Sequence, residues 1–344
     1  MLNILREKMS KHSISAITLL LMLLIALFFI SFLLGRYPIS PYEVILAICS
    51  KITGIDFGLS QTVETIIFQI RLPRILAAIL VGASLSIAGA SFQGLFKNPL
   101  VSPDKLGVSS GAGFGAALAI LLYGGYFLIQ ALSFIFGLLA VVVSYLLSRT
   151  FKGTSMLTLV LCGIAIGSFF SALLSIAKYV ADPYGQLPTI VFWLMGSLAS
   201  VTTQQIIMVL IPMLIGITIL ILIRWRLNVV SMGDEEALTM GIDVKKMQAI
   251  IIICCTLITA AAVSISGIIG WIGLVIPHIA RMILGPDHKV LLPASVILGA
   301  FFLLLIDNIS RTVTTVEIPL GILTALIGAP FFIYLLKKSK EVWV

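Results

Sequence analysis

The chain has 344 residues, 60% of them hydrophobic and 10% charged, with a mean hydropathy of +1.18. That much apolar surface excludes a water-soluble globular domain and requires lipid as solvent. The net charge of +8 does not indicate nucleic acid, because the basic residues are scattered between apolar runs instead of gathered on one face. They fit the basic residues that mark the cytoplasmic ends of membrane spans.

In chain order, the start "MLNILREKMSKHS" is basic and leads into an apolar run over 14–34. That run is long for a signal-peptide core and no A-x-A cleavage site follows, so it reads as an uncleaved first span. A polar stretch over 35–62 holds a short helix near 41–51. A second span starts at "RLPR" (71–74) and ends near Phe96. Residues 106–148 carry no formal charge and are long enough for two spans, 106–122 and 127–148, divided by "YGGY". A fifth span covers 155–177, followed by "TIVFWLMGSLAS", too short to cross and suited to a half-buried or interfacial helix. A sixth covers 204–223, and the acidic insert "SMGDEEALTMG" follows at 231–241. The seventh and eighth, 247–265 and 268–284, are broken at "SISG"; the ninth and tenth cover 289–310 and 318–336. The reading is an all-α protein with about ten transmembrane helices in one membrane unit over 1–344. An even count puts both termini on one side, and the 22 Lys and Arg divide 16 to 6 in favour of that side. This predicts N-in, C-in and a cytoplasmic insert.

Small residues recur every four positions: Gly82, Ser86, Ala90 and Gly94; Gly107, Gly111 and Gly115; Gly163, Gly167 and Ser171. Such stripes let helix backbones touch, in plain packing or around a substrate path. "GLFKNPLVSPDKLG" after the second span and "GLVIPHIARMILG" after the seventh share a Gly-Leu, a proline and a closing glycine, a weak hint of an internal repeat. Cys49, Cys162, Cys254 and Cys255 form no CxxC or Cys/His cluster and read as small core residues, without a metal or disulfide framework.

Two groups of residues stand out. In the insert, Ser231 and Asp234 have capping-box spacing, and Asp234, Glu235 and Glu236 fall in the first turn, where the helix dipole favours negative charge. Gly241 is placed to end the helix, giving about two turns, roughly 10 Å. Ala237, Leu238 and Met240 are apolar. An isolated helix this short is unstable in water, so it is either a solvated loop or held by its own protein or a partner. On the opposite side, Arg71 and Arg74 sit at the expected start of a span, with Pro73 in the first turn. Cations there oppose the dipole, which leaves snorkelling to lipid phosphate or contact with an acidic outer partner. Arg311 lies on the same side, four residues after Asp307, a spacing that suits an intrahelical ion pair.

Intramembrane ionisable residues are few, Asp307 and His278 being the clearest. An ion-coupled carrier needs buried charge, so that class, in which Asp307 would be the key residue, is the alternative here; a membrane scaffold without transport is a third. No GxxxxGK[ST] phosphate loop, catalytic triad or metal constellation occurs. The chain is therefore not expected to be an enzyme, and ATP hydrolysis would have to come from elsewhere.

Four stretches carry a resemblance: "RLPRILAAILVGASLSIAGASFQGLFKNPLVSPDKLGVSSGAG", "GDEEALTMGIDV", "SGIIGWIGLVIPHIARMILGPDH" and "EIPLGILTALIGAPFFIYLL". From about 14 to 338 the chain resembles the permease subunits of type II ABC importers for iron–siderophore complexes, haem and cobalamin, the FecCD family. The resemblance implies ten helices per subunit, a homodimer with the path between subunits, and location in a bacterial or archaeal inner membrane. It implies two cytoplasmic ATPase subunits that use ATP and Mg, no cofactor bound by this chain, and an extracytoplasmic binding protein. It also implies a coupling segment about 225–246, with 234–241 entering a cleft on the ATPase. The family's docking arginines match Arg71, Arg74 and Arg311, and its cytoplasmic gate matches Asn98, Leu100, Thr154 and Ser155.

Overall fold

The computed structural model describes residues 2–150 and 156–339. The described residues are helical without a strand. In order the helices are α1 (Leu2–Leu33), α2 (Pro41–Thr53), α3 (Gln61–Thr65), a π-helical segment (Ile66–Arg71), α4 (Leu72–Leu95), a 3₁₀ turn (Pro103–Leu106), α5 (Val108–Leu121), α6 (Tyr126–Thr150), α7 (Met156–Val180), α8 (Gln186–Leu194), α9 (Thr203–Leu222), α10 (Arg224–Met232), α11 (Asp234–Thr239), α12 (Val244–Ser266), α13 (Ile272–Leu284), α14 (His288–Thr312) and α15 (Leu320–Ser339).

Among the described residues, seven helical segments are long and apolar enough to cross a membrane: 14–33, 61–95, 126–150, 156–180, 203–222, 244–266 and 288–312. Three shorter apolar helices, 108–121, 272–284 and 320–334, stand where the sequence suggests further spans. The polar stretch after α1 does hold a helix. Ser40 and Glu43 close a reciprocal capping box, Glu43 N donating to Ser40 Oγ at 3.2 Å and Ser40 N to Glu43 Oε2 at 2.7 Å, and Gly54 ends the helix at a φ of +71°.

α4 is the central helix, and nearly every side chain from Pro73 to Leu95 is buried. It packs along α14, α12 and α13. The approach is close because a methyl group on Gly82 would overlap the Gly299 carbonyl of α14, and one on Gly89 would overlap the Gly273 carbonyl of α13. The small-residue stripe therefore serves backbone contact. Among the described cysteines no pair forms; Cys162, Cys254 and Cys255 are buried packing groups.

Two expectations change. The second span does not begin at Arg71. Helical backbone runs unbroken from Gln61 to Leu95 through the π segment, with Ser60 Oγ capping at Val63 N. The wide turn ending at Arg71 directly precedes Leu72 and Pro73, and it accommodates a proline ring that would clash in a regular helix. Arg71 and Arg74 thus sit inside a continuous helix, and the dipole argument about them no longer applies. The insert also differs. Ser231 does not cap the acidic helix; it lies in α10 and its hydroxyl donates to Asn228 O at 2.7 Å. Gly233 separates α10 from α11 in an extended conformation, φ 172°. The expected two turns shorten to six helical residues, Asp234–Thr239, and a separate nine-residue helix, Arg224–Met232, precedes them.

Candidate functional sites at the two ends of the bundle

At one end, α10 and α11 form an arm. Its inner face is apolar: Leu227, Val229, Val230 and Ala237 join a buried cluster with Phe92 and Leu95 at the end of α4. Ala237 is thus held by its own protein and is not available for a partner to grip. Leu238 and Met240 are exposed, at 63% and 56%, together with Asp234, Glu235 and Glu236. Gly241 closes the arm at a φ of +75°, as the sequence suggests.

Polar bonds fasten this arm to two long helices. Asn228 Nδ2 donates to Asp287 Oδ1, while Asn228 Oδ1 accepts from His288 N at 2.8 Å and lies 2.8 Å from His288 Nδ1. Asp287 is the N-cap of α14, its carboxylate also accepting from Lys289 N at 2.9 Å. Burial alone would push the Asp287 carboxyl up; the Asn228 amide, the Lys289 backbone N–H and the charges of Lys289 and His288 outweigh it and hold the group below its ordinary value. On the α4 side, Lys97 Nζ reaches Asp234 Oδ1 at 3.5 Å. Both groups are well exposed, so this pair contributes about 0–1 kcal/mol.

Asn98 and Leu100 follow α4 in a tight turn. Leu100 N donates to Asn98 Oδ1 at 2.9 Å, and both side chains are exposed. Thr154 and Ser155, their expected gate partners, lie outside the described residues.

At the opposite end, the three arginines come together, but facing inward. Arg74 Nε donates to Asp307 Oδ1 and Oδ2 at 2.9 and 3.1 Å, and its Nη1 donates to both oxygens of Glu317 at 2.9 Å. Arg71 donates to the carbonyls of Phe32 and Tyr37. Arg311 Nη2 donates to Ser31 O at 2.7 Å and to Asn308 Oδ1, and its Nε lies 3.9 Å from Asp307. Asn308 in turn donates to Ser31 Oγ at 2.7 Å. The expected ion pair of Arg311 with Asp307 is present, but as the longer of the two that Asp307 makes. All three guanidinium groups are buried, at 3% to 6% exposure, and Asp307 is fully enclosed. In this geometry they are not offered to an outer partner. They tie α1, the following loop, α4, α14 and the segment before α15 into one frame.

Asn228, Asp287, Lys97 and Glu317 were not singled out by the sequence. Asp287 carried a readable signal, an acidic residue two positions before the run 289–310, suited to a helix start. Asn228 and Glu317 carried none, because their partners are 59 and 243 residues away. Among the described residues no group of His, Cys, Asp or Glu could hold a metal ion.

The chain matches the FecCD transport family over residues 23–338. It is 42% identical over 326 residues to the molybdate import system permease protein MolB of Haemophilus influenzae, covering 94% of this chain and 95% of that protein. It is 41% identical over 282 residues to a probable iron chelatin transport system permease protein of Helicobacter pylori, covering 82% and 85%. Among solved structures, an inward-facing putative metal-chelate type ABC transporter superposes with a TM-score of 0.85 at 38% identity, covering 94% of this chain and 99% of that one. By this match and these relatives, the multi-span membrane chain belongs to the FecCD transport family, the membrane permeases of ABC transporters.

Proposed function

We propose that the chain is the permease subunit of an ATP-driven importer that carries a metal chelate, an iron–siderophore or haem or cobalamin, into the cytoplasm. The observation that carries the reading is the arm. It is fastened inward by Ala237 and Asn228 and presents Leu238, Met240 and three carboxylates outward. A separate ATPase pressing on that outer face would act through Asn228 on the start of α14 and through the buried contacts of Leu227 and Val230 on the end of α4.

The rest of the reading follows. The three short apolar helices complete ten spans, with irregular segments such as the 3₁₀ turn before α5 making up the length to about 30 Å. The basic end, carrying the termini and the arm, faces the cytoplasm. Two copies assemble, each receiving one ATPase subunit that binds ATP and Mg, and a binding protein docks at the far end. The arginines there frame that surface from beneath instead of touching the partner. The path runs between copies along α7, where Ser168, Ser171 and Ser175 are exposed on a spanning helix. Ser168 and Ser175 donate back to carbonyls one turn earlier at 2.9 Å, leaving oxygen lone pairs facing outward, which suits water better than lipid. A second cargo, a molybdate-like oxyanion, lies outside the sequence expectation and is favoured by the 42% identity to a molybdate permease over nearly the whole chain.

The test is uptake into proteoliposomes holding this chain with the ATPase and binding protein encoded beside it. Uptake of ferric siderophore, haem, cobalamin or molybdate that requires ATP is the expected result, and the preferred cargo identifies the class. Transport by the chain alone, driven by a proton or sodium gradient and lost in Asp307→Asn, establishes the ion-coupled carrier instead.

A further inference from the structure

α6 and α12 pack side by side and antiparallel, and their contact leaves a groove of about 370 Å³ in the half of the membrane nearer the arm. Leu138, Val142 and Leu146 line it from α6, and Ala249, Ile253 and Leu257 from α12. Its walls are almost wholly apolar, and Val142, Leu146 and Ile253 are more than half exposed. Within the membrane, such a groove accepts hydrocarbon.

The rim at the arm end is different. On α6 the lining face continues one turn on to Arg149, whose guanidinium carbon sits 6.0 Å from the ring centre of Tyr145, itself a groove residue. On α12 the same face continues one turn back to Lys245 and Lys246. All three cations are exposed, and among the described residues none has an ion-pair partner. The nearby Asp243 carboxylate is engaged in capping α12, accepting from Lys246 N at 3.0 Å. Local helix electrostatics explain Arg149, at a C-terminus, but not Lys245 and Lys246, which oppose the dipole at the N-terminus of α12.

We propose that this groove and rim form a binding site for an anionic phospholipid, with an acyl chain along α6 and α12 and the phosphate at Arg149, Lys245 and Lys246. Basic pockets between membrane helices on the cytoplasmic side have this chemistry. The site depends on α6 and α12 crossing the bilayer. It does not depend on ATP coupling or on the cargo, so its failure leaves the transport reading intact.

The test uses the full-length protein in detergent, titrated with phosphatidylglycerol or phosphatidylethanolamine of matched chains and read by native mass spectrometry. Each basic side chain near an anionic surface contributes about fivefold to affinity. The charge-removed variant Arg149→Gln/Lys245→Gln/Lys246→Gln is therefore expected to lose tenfold or more in phosphatidylglycerol retention, with phosphatidylethanolamine unchanged. Ala249→Phe, which fills the groove and leaves the rim, is expected to weaken retention of both lipids, and glycerol phosphate without chains to compete poorly. Equal retention of the two lipids by the unaltered protein overturns the site. So does phosphatidylglycerol binding unaffected by Ala249→Phe, or a charge-removed variant whose only change is in oligomeric state, which would make the groove a surface between copies.

Discussion

Replacing Arg74 by Met decides whether the far-end arginines are a frame or a docking surface. Methionine keeps much of the side-chain length and removes the guanidinium. Asp307, fully enclosed, then has only Arg311, at 3.9 Å and outside hydrogen-bond range, and Glu317 loses its two-oxygen contact. Removing one partner of a buried ion pair costs about 3–5 kcal/mol, because the charge left behind has lost its solvation. Glu317 is 30% exposed and adds little, since water reaches it. Asp307→Leu alone is expected to cost less, because Arg74 keeps Glu317. The double variant Arg74→Met/Asp307→Leu should recover at least about 2 kcal/mol relative to the sum of the singles, as neighbours in one network couple. The measurement is reversible unfolding in mixed micelles of dodecyl maltoside and sodium dodecyl sulfate, followed by tryptophan fluorescence. If Arg74→Met unfolds within about 0.5 kcal/mol of the parent protein while binding of the outer partner collapses, the buried frame is the wrong account of Arg74.

Three further outcomes follow from the arm and the central helix. Asn228→Ala removes the bonds to Asp287 and His288; Asp287 is exposed and water replaces its bond, but the buried His288 loses its partner, at about 1–3 kcal/mol. ATPase binding should persist while ATP-driven uptake falls, and undiminished uptake would exclude this link from transmission. Glu235→Lys with Glu236→Lys changes only exposed groups, so the protein should fold normally but turn over ATP without transport, which ATPase and uptake assays on one preparation will read. Because the Asp287 carboxyl is held below its ordinary value of 3.8, its contribution is complete above that value and is lost only as pH falls through the depressed one. Hydrogen exchange over 224–239 should therefore show the same protection at pH 5 as at pH 7, and loss of protection by pH 5 would contradict the assignment.

The seven long spans were legible because apolar runs of about 20 residues have few alternatives in a chain this hydrophobic. The break at "YGGY", the helix after α1 and the short α8 were equally readable from length and punctuation. The π segment was not. Nothing in "IIFQIR" distinguishes a wide turn from an α turn, and Pro73 looked like a helix start because a proline is welcome in a first turn. That single misreading moved Arg71 and Arg74 to a helix end and made them look outward-facing. The arm's existence and acidic surface were legible, whereas its anchoring was not, since Asn228, Asp287, Asp307 and Glu317 acquire meaning only from partners far along the chain. Ser231 shows the limit of a motif: S-x-x-D has the right spacing, but the Gly233 break places the serine in the preceding helix.

The α4–α14 pair connects both sites. At the arm end the start of α14 is fixed to Asn228, and a side chain at Gly94 of α4 would meet His288. Midway, Gly82 and Gly299 bring the two backbones into contact. At the far end Arg74 of α4 grips Asp307 of α14. Backbone contact leaves no flexible side chains to absorb a displacement, and the buried Arg74–Asp307 ion pair holds the far ends together. In the proposed importer, a push on the arm would therefore be passed along α4 and α14 as one body instead of dissipating where they meet. This yields a prediction separable from either end. Gly82→Ala inserts a methyl where the Gly299 carbonyl sits, overpacking the contact at about 1–3 kcal/mol without touching the arm or the arginine frame. If α4 and α14 move together, this change should reduce uptake per ATP hydrolysed while leaving ATPase binding and binding-protein affinity near normal. An unchanged ratio of uptake to hydrolysis would mean that the motion bypasses this contact, and that α4 acts with α12 or α13 instead.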